Sequence, residues 1–152
     1  MNKLLLSYIN TSAGFWLVSF LVPLIVLEIT GSALTVAISY AMNIAPYIIF
    51  TPFAGVFCDA YNRKKLIVVG ELLCCLTSSV LFISLLYTTS VSLVVFLGFA
   101  ISSLSAIHHP VFQSIIPDIF PSDKIKDINA NIGVIDSTVG IVAPAVLGML
   151  LS

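Results

Sequence analysis

Residues 72–117 contain no Lys, Arg, Asp or Glu, and this uncharged stretch limits the fold more than any other feature of the sequence. Across the whole chain of 152 residues, 9% are charged and 59% are hydrophobic, whereas soluble domains carry about 25% charged residues. A soluble fold of this length has too little interior to cover so much apolar surface. Because helices satisfy their own backbone hydrogen bonds in lipid, we expect an all-α integral membrane protein.

The remaining charges divide the sequence into five apolar spans. A helix needs about 20 apolar residues to cross the hydrocarbon core, so residues 72–117 are too long for one crossing, and the polar residues 87–92 predict a turn within them. Ser122 is placed to cap a helix that begins near Asp123. The predicted architecture is a single bundle of five transmembrane helices, at about residues 6–27, 34–57, 66–87, 93–110 and 132–151.

The basic residues predict the orientation in the membrane. In a five-span chain all Lys and Arg residues fall on one side, and the opposite loops contain none. They are Lys3, Arg63, Lys64, Lys65, Lys124 and Lys126. Basic loops stay in the cytoplasm, so we expect an inner-membrane protein with its N-terminus in the cytoplasm and its C-terminus outside. The apolar run after Lys3 lacks a small-residue cleavage site, which favours a retained first span over a signal peptide.

The sequence disfavours several classes of function. A formal net charge of −1 provides no basic surface for nucleic acid, whose recognition depends on cations. No catalytic triad, metal cluster or phosphate loop appears at usable spacing, so we predict neither an enzyme nor a metal or cofactor site. Cys58, Cys74 and Cys75 lack disulfide or metal-ligand spacing, and we interpret them as apolar filling.

Small residues recur every four positions on two of the predicted spans. They are Ala33, Ala37, Ala41 and Ala45 on the second span, and Gly140, Pro144 and Gly148 on the fifth. Such rows let neighbouring helices approach closely. The pattern therefore predicts packing within a helical bundle and does not indicate a function.

The charged segment that ends the second span carries a more specific pattern. It contains Gly55, Asp59, Arg63, Lys64 and Lys65. This spacing resembles the loop between helices two and three of the major facilitator superfamily, G-x-x-x-D-[RK]-x-G-[RK]-[RK]-[RK]. Two positions depart from the family pattern: Ala60 replaces a basic residue, and Asn62 replaces a glycine, although Asn also tolerates the left-handed conformation.

Other segments resemble the branch of this family that contains macrolide-efflux proteins and the enterobactin exporter. These segments are residues 30–33, 45–47, 51–55, 108–110, 116–121 and 129–130. Residues 143–148 are similar to the fifth-helix antiporter pattern G-P-x-x-G-G: they keep Pro144 and Gly148, with Ala143 and Leu147 in place of glycines. The resemblance covers nearly the whole chain.

The resemblance implies a twelve-helix secondary transporter whose two six-helix halves rock about a central site. Such proteins export drugs or siderophores against proton entry, so a small-molecule substrate and proton coupling are expected. The five predicted spans correspond to an incomplete N-terminal half, a truncated or split product that we expect to be inactive alone and to need a C-terminal half. Two alternatives stay open: a small multidrug exporter that works as an oligomer, and a non-transporting membrane protein that assembles with a full-length partner.

Acidic residues within the spans are the candidate coupling sites. Glu71 and Asp136 lie where ionisable groups are costly and tend to face a cavity or a counter-ion, although a structural role fits their positions equally well. The resemblance implies that Asp59 holds a helix N-terminus of the opposite half. Two departures weaken the expectation of coupling: the fourth span has no Arg, and Cys74 stands where this branch often has an Arg.

The candidate substrate path lies on spans one and four, which face the cavity in the family. Its residues are Trp16, Ser19, Ser102, Ser103 and Ser105. Trp16 is alternatively a lipid-facing aromatic residue, and serines commonly bond to their own helix backbone. His108 and His109 precede Pro110 at the end of span four, and we interpret them as structural residues of the membrane interface rather than titrating groups.

Reporter fusions test the predicted orientation. Because all the cations are assigned to cytoplasmic loops, fusions after Lys65, Thr89 and Ser152 are expected to report inside, outside and outside. The measurement is the activity of alkaline phosphatase relative to the fluorescence of green fluorescent protein at each fusion point. A cytoplasmic signal after Ser152 would overturn the five-span topology.

Overall fold

The computed structural model describes the backbone of residues 2–151 and the side chains of residues 6–149. This part of the chain forms five helices, each long and apolar enough to cross a membrane, which confirms the all-α, five-span prediction. The helices are α1 Asn2–Thr30, α2 Ala33–Ala60, α3 Arg63–Tyr87, α4 Val91–Ile119 and α5 Ser122–Leu151. Met1, Ser152 and the side chain of Lys3, which enter the topology prediction, lie outside the described residues.

Short connections with matching cap residues separate the first three helices. Gly31 ends α1 with φ 60°, a conformation that costs glycine little. Ser32 caps α2 by accepting a hydrogen bond from the N–H of Thr35, and Asn62 caps α3 by accepting one from the N–H of Lys65. Asn62 is extended, with φ −65° and ψ 114°, and not left-handed as its place in the loop pattern suggested, because an N-cap needs β-region backbone angles.

The fourth helix is longer than the predicted span. It continues past Pro110 and Pro117 and ends at Ile119, and α5 then begins at Ser122. Proline removes one backbone hydrogen bond and bends a helix, but neighbouring helices make this tolerable within a transmembrane bundle. Only a short connection therefore separates Ile119 from Ser122.

The centre of the bundle is α4, which packs against α1, α2, α3 and α5. Eleven residues of α4 are buried, whereas Leu81 is the only buried residue of the fully described α3. Gly98 allows α4 to lie close to α1 and α2. A Cβ at this position would lie 3.1 Å from the side chain of Val22 and 3.4 Å from Oδ1 of Asn43. The same Oδ1 accepts a hydrogen bond from Ser102 Oγ at 3.0 Å. A buried polar contact thus joins α2 to α4 beside the glycine.

Two apolar clusters hold the helices together toward opposite ends of the bundle. One contains Val22, Val26, Leu81, Val94, Leu97 and Ile101 from α1, α3 and α4. The other contains Tyr8, Phe112, Ile116, Ile128 and Ile132 from α1, α4 and α5. Between the two clusters, α1 and α4 present Ser, Thr and His side chains, and the candidate site forms at this level.

Part of the predicted small-residue packing does not occur among the described residues. Ala33, Ala37 and Ala41 are exposed, and a Cβ at Gly55 or Gly148 would meet nothing within 4 Å. The buried face of α2 consists instead of Ser39, Asn43, Pro46, Ala54 and Cys58. Ala33, Ala37 and Ala41 therefore point away from the other described helices, whereas Ala45 is half-buried, because α2 turns its polar and proline-bearing face toward α4.

The close approach at Gly98 predicts a large difference between two glycine substitutions. Gly98→Leu forces a side chain into the junction of α1, α2 and α4 and is expected to lower the free energy of unfolding by about 1–3 kcal/mol. Gly133→Leu is the matched control, since a Cβ at Gly133 has no neighbour within 4 Å. The measurement is the thermal unfolding midpoint in detergent, and equal effects of the two changes would contradict this packing.

Candidate functional site

One pair of hydroxyl groups on α1 holds a carboxylate of α3. Ser7 and Thr11 are four residues apart and so lie on the same face of α1. Both donate to Oε1 of Glu71, at 3.1 and 3.0 Å respectively. The Glu71 side chain is 36% exposed, so it faces an open space within the bundle as well as these two donors.

A second hydroxyl pair, displaced by one residue along α1, holds a carboxylate of α5. Tyr8 donates to Oδ2 of Asp136 at 2.6 Å, and Ser12 donates to Oδ1 at 2.8 Å. One residue along a helix is a rotation of about 100° and a rise of about 1.5 Å. The two pairs therefore place Glu71 and Asp136 at nearly the same depth but on different sides of α1.

Each carboxylate also faces a histidine of α4. Nε2 of His108 lies 3.6 Å from Oε1 of Glu71, and Nε2 of His109 lies 3.5 Å from Oδ2 of Asp136. His108 is 5% exposed, and its Nε2 has no hydrogen-bond partner among the described residues. Because the two histidines are adjacent on α4, their rings face different acidic residues, a contact that the sequence did not predict.

Two cavities adjoin these pairs. The first, which we call the aromatic cavity, has a volume of about 290 Å³ and is lined by Tyr8, Thr11, Ser12, Phe15, Trp16, Tyr47, Ser105, His108, His109 and Asp136. The second, the Glu71 cavity, has a volume of about 450 Å³ and is lined by Ser7, Asn10, Thr11, Gly14, Phe15, Glu71, Cys74, Cys75, Ser78, Ile101 and Ser105. The two cavities share Thr11, Phe15 and Ser105, so they lie side by side around α1.

A third cavity, the basic cavity, lies where α2, α3 and α4 meet their connecting segments. Its volume is about 740 Å³, and its lining includes Arg63, Lys64 and Asp118 together with Ser7 and Glu71. Because it shares Ser7 and Glu71 with the Glu71 cavity, Glu71 lies between the charged end of the bundle and the interior.

The loop-motif residues occupy different environments in the structure. Arg63 pairs with Asp118 of α4 at 2.6 Å and also donates to the carbonyl of Ser114 at 3.0 Å, so it joins α3 to α4. Asp59 and Lys64 are exposed. The pair of Arg63 with Asp118 forms because the start of α3 packs against the end of α4.

The predicted path residues divide into two groups. Trp16 and Ser105 line the aromatic cavity, so Trp16 does not take the lipid-facing position considered as an alternative. Ser19, Ser102 and Ser103 are not among the described residues that line the three cavities. Ser102 bonds to Asn43, and Ser103 donates to the carbonyl of Phe99 in its own helix. These contacts use the serine hydroxyl groups for helix packing.

The two fifth-helix motif residues also differ in burial. Pro144 is half-buried, whereas Gly148 is exposed, so they do not form a shared contact with the other described helices. Among the described residues, no three His, Cys, Asp or Glu side chains come together as a metal site.

Sequence reasoning missed the four donors on α1. Ser7, Tyr8, Thr11 and Ser12 form two overlapping pairs spaced by four residues, in an otherwise apolar helix. This spacing is a usable signal, because hydroxyl groups on two adjoining faces of a membrane helix have two possible partners. Tyr47, which also lines the aromatic cavity, had no comparable signal.

Comparisons with known proteins identify relatives of the chain. The model of the Major Facilitator Superfamily matches residues 4–152. The chain is 30% identical to macrolide efflux protein A of Streptococcus pyogenes over 126 residues, which are 82% of this chain and 31% of that protein. It is 30% identical to macrolide efflux protein A of Enterococcus faecalis over 123 residues, 80% of this chain and 38% of that protein. The chain thus spans about a third of the length of these curated relatives, and no solved structure matches it significantly.

The contacts of the basic segment predict how its residues contribute to stability. Arg63→Gln removes the ion pair with Asp118 and the bond to Ser114, and is expected to lower the free energy of unfolding by up to about 1 kcal/mol, as is usual for half-exposed ion pairs. Lys64→Gln and Asp59→Asn are expected to leave it unchanged, because neither side chain contacts α4 in the described part of the chain. Detergent unfolding curves measure all three variants. A loss for Asp59→Asn equal to that for Arg63→Gln would place Asp59 in a local structural role.

Proposed function

Because this chain belongs to the Major Facilitator Superfamily, we propose that it forms part of a secondary transporter that exports small molecules in exchange for protons. The macrolide efflux proteins among its relatives support export as the direction. The family is one of membrane transporters, which favours transport over catalysis. In the proposed orientation, the charged end of the bundle faces the cytoplasm, in keeping with the distribution of Lys and Arg.

The observation that carries this proposal is the two carboxylate–histidine pairs within the membrane spans. Ionisable groups in a bilayer are costly and usually belong to ion or substrate pathways. Glu71 faces His108, and Asp136 faces His109, and each carboxylate adjoins a cavity. These are the groups to which we assign the transported proton.

Protonation of either carboxylate changes what α1 can bond to. An ionised carboxylate only accepts hydrogen bonds, whereas a protonated one also donates. Glu71 accepts from Ser7 and Thr11, and Asp136 accepts from Tyr8 and Ser12. Because Tyr8 and Ser12 donate to different oxygens of Asp136, a proton on either oxygen weakens one of these two bonds and alters how α1 is held against α5. We propose that this change links proton binding to the movement of α1.

The cavities support a route for the proton. The basic cavity shares Glu71 and Ser7 with the Glu71 cavity, and the Glu71 cavity shares Thr11 and Ser105 with the aromatic cavity. His108 lines the aromatic cavity while its Nε2 faces Glu71. A continuous series of polar groups thus extends from the charged end of the bundle to Asp136.

We further propose that transport requires a second helical bundle. Ala33, Ala37 and Ala41 of α2 are exposed in the described bundle, as are Gly55, Asp59 and Gly148, and small residues commonly line contacts between membrane helices. In the arrangement implied by the family resemblance, Asp59 meets a helix N-terminus of that bundle, where a negative charge is favoured. The bundle is a C-terminal half in this proposal, and a second copy of the chain is the competing outcome of the experiment below.

An efflux assay tests the proposal. The chain replaces the matching segment of the Streptococcus pyogenes macrolide efflux protein, and erythromycin accumulation is measured in energised cells with and without a protonophore. We expect protonophore-sensitive efflux that falls at least tenfold for Glu71→Gln and Asp136→Asn, because neither amide binds a proton. Glu28→Gln and Asp127→Asn are the matched controls, since both carboxylates are exposed, and they are expected to retain efflux.

The 152-residue chain produced alone is the second arm of this experiment. It is expected to give no efflux, because a second bundle is needed. Efflux by the chain alone would favour an oligomer of identical copies, whereas efflux that survives both acid replacements would remove the proton-carrying role of Glu71 and Asp136.

A further inference from the structure

The aromatic cavity combines rings with a single carboxylate, and from this combination we infer that it binds small organic cations that have an aromatic or bulky apolar group. Asp136 provides the counter-charge, and Phe15, Trp16 and Tyr47 provide the surrounding rings. The inference rests on the proposed function, because it names the substrate class of the same site. It separates cationic drug-like compounds from anionic siderophore-like ones, both of which the family resemblance leaves open.

The walls of the cavity suit a cation of this kind. The ring centroids of Phe15 and Trp16 are 5.7 Å apart, and those of Phe15 and Tyr47 are 5.2 Å apart. Faces of aromatic rings attract an organic cation within about 6 Å of the ring centroid, most strongly for Trp. Three rings close enough to touch one ligand therefore favour a positive charge and at the same time cover an apolar group.

The indole of Trp16 is held in place by a glycine on α5. A Cβ at Gly140 would lie 3.3 Å from Cε2 and Cζ2 of Trp16, so the indole packs closely against α5 at this position. Gly140 is four residues after Asp136 and lies on the same face of α5, which places the indole about one turn from the carboxylate. The aromatic wall and the carboxylate are thus fixed relative to each other.

The Asp136 carboxylate is positioned to accept one more charged partner. Its oxygens accept one hydrogen bond each, from Tyr8 and Ser12, while a carboxylate has about four acceptor positions. The side chain is 32% exposed, and no Lys or Arg is among the described residues that line the cavity. Nε2 of His109 lies 3.5 Å from Oδ2, and the other acceptor positions of the carboxylate are left for a ligand cation.

The Glu71 cavity lacks this combination. Phe15 is the only aromatic residue among its described lining residues. Glu71 also opens toward the basic cavity, whose described lining combines Arg63 and Lys64 with Asp118 and contains no cluster of rings around the carboxylate. We therefore assign the cation to Asp136 and not to Glu71.

Tryptophan fluorescence of the purified chain measures the binding of an organic cation in the aromatic cavity. Trp16 is the single tryptophan of the sequence and lines this cavity. The probes are phenyltrimethylammonium and its uncharged isostere tert-butylbenzene, titrated into the protein in detergent. We expect the cation to change the fluorescence saturably and to bind at least tenfold more tightly than the isostere.

Two acid replacements and one aromatic replacement locate the site. Asp136→Asn is expected to weaken cation binding at least tenfold, whereas Asp127→Asn, which changes an exposed carboxylate, leaves it within twofold. Phe15→Leu is the second variant, because it keeps Asp136 and all its hydrogen bonds, and it is expected to weaken the cation several-fold more than the isostere. Size-exclusion elution and the unfolding midpoint verify that each variant is folded.

Three outcomes would overturn the inference. They are equal affinity for the cation and the isostere, cation binding by Asp136→Asn that equals that of Asp127→Asn, and equal weakening of both probes by Phe15→Leu. Failure of this inference is distinguishable from failure of the proposed function, since binding is measured without transport. Cation binding without efflux in the chimera would remove the transport proposal alone, and efflux without cation binding would remove the cation site alone.

Discussion

The described structure depends on keeping two carboxylates out of contact with lipid. Glu71 and Asp136 lie on helices whose other residues are mostly apolar, and a charge exposed to hydrocarbon is strongly unfavourable. Hydroxyl groups of α1 satisfy both, Ser7 and Thr11 on one side and Tyr8 and Ser12 on the other. This requirement turns the acidic faces of α3 and α5 inward, and it makes α1 the helix around which the polar interior is built.

The helix α4 meets the same requirement from the opposite side. His108 and His109 are consecutive, so a rotation of about 100° separates their side chains, and one ring faces the carboxylate of α3 while the other faces that of α5. Nearer the start of α4, Gly98 and Ser102 bring α1 and α2 close through contacts with Val22 and Asn43. A single central helix therefore supplies both the polar partners of the site and the tight packing that holds its walls.

These contacts connect family membership with particular residues of the chain. Relationship to macrolide efflux proteins suggests export, but the relationship alone does not indicate which residues bind a proton or a ligand. The separation of Glu71, which opens toward the charged end of the bundle, from Asp136, which lies among aromatic rings, suggests different tasks for two similar carboxylates. The exposed small residues on α2 form a face of the kind that packs well against other helices.

The sequence by itself determined the all-α, five-span fold, because the length of uncharged apolar segments and the cost of unpaired backbone groups in lipid leave few other solutions. It also determined that Glu71 and Asp136 lie within the spans, since depth follows from position along a helix. Only the tertiary structure decided which faces meet: that Arg63 pairs with Asp118, that Ala33, Ala37 and Ala41 of α2 face outward, and that His108 and His109 each face an acidic residue. The reason is that the rotation of each helix about its axis is set by contacts with residues distant in the sequence, and in a uniformly apolar helix the sequence contains little information about that rotation.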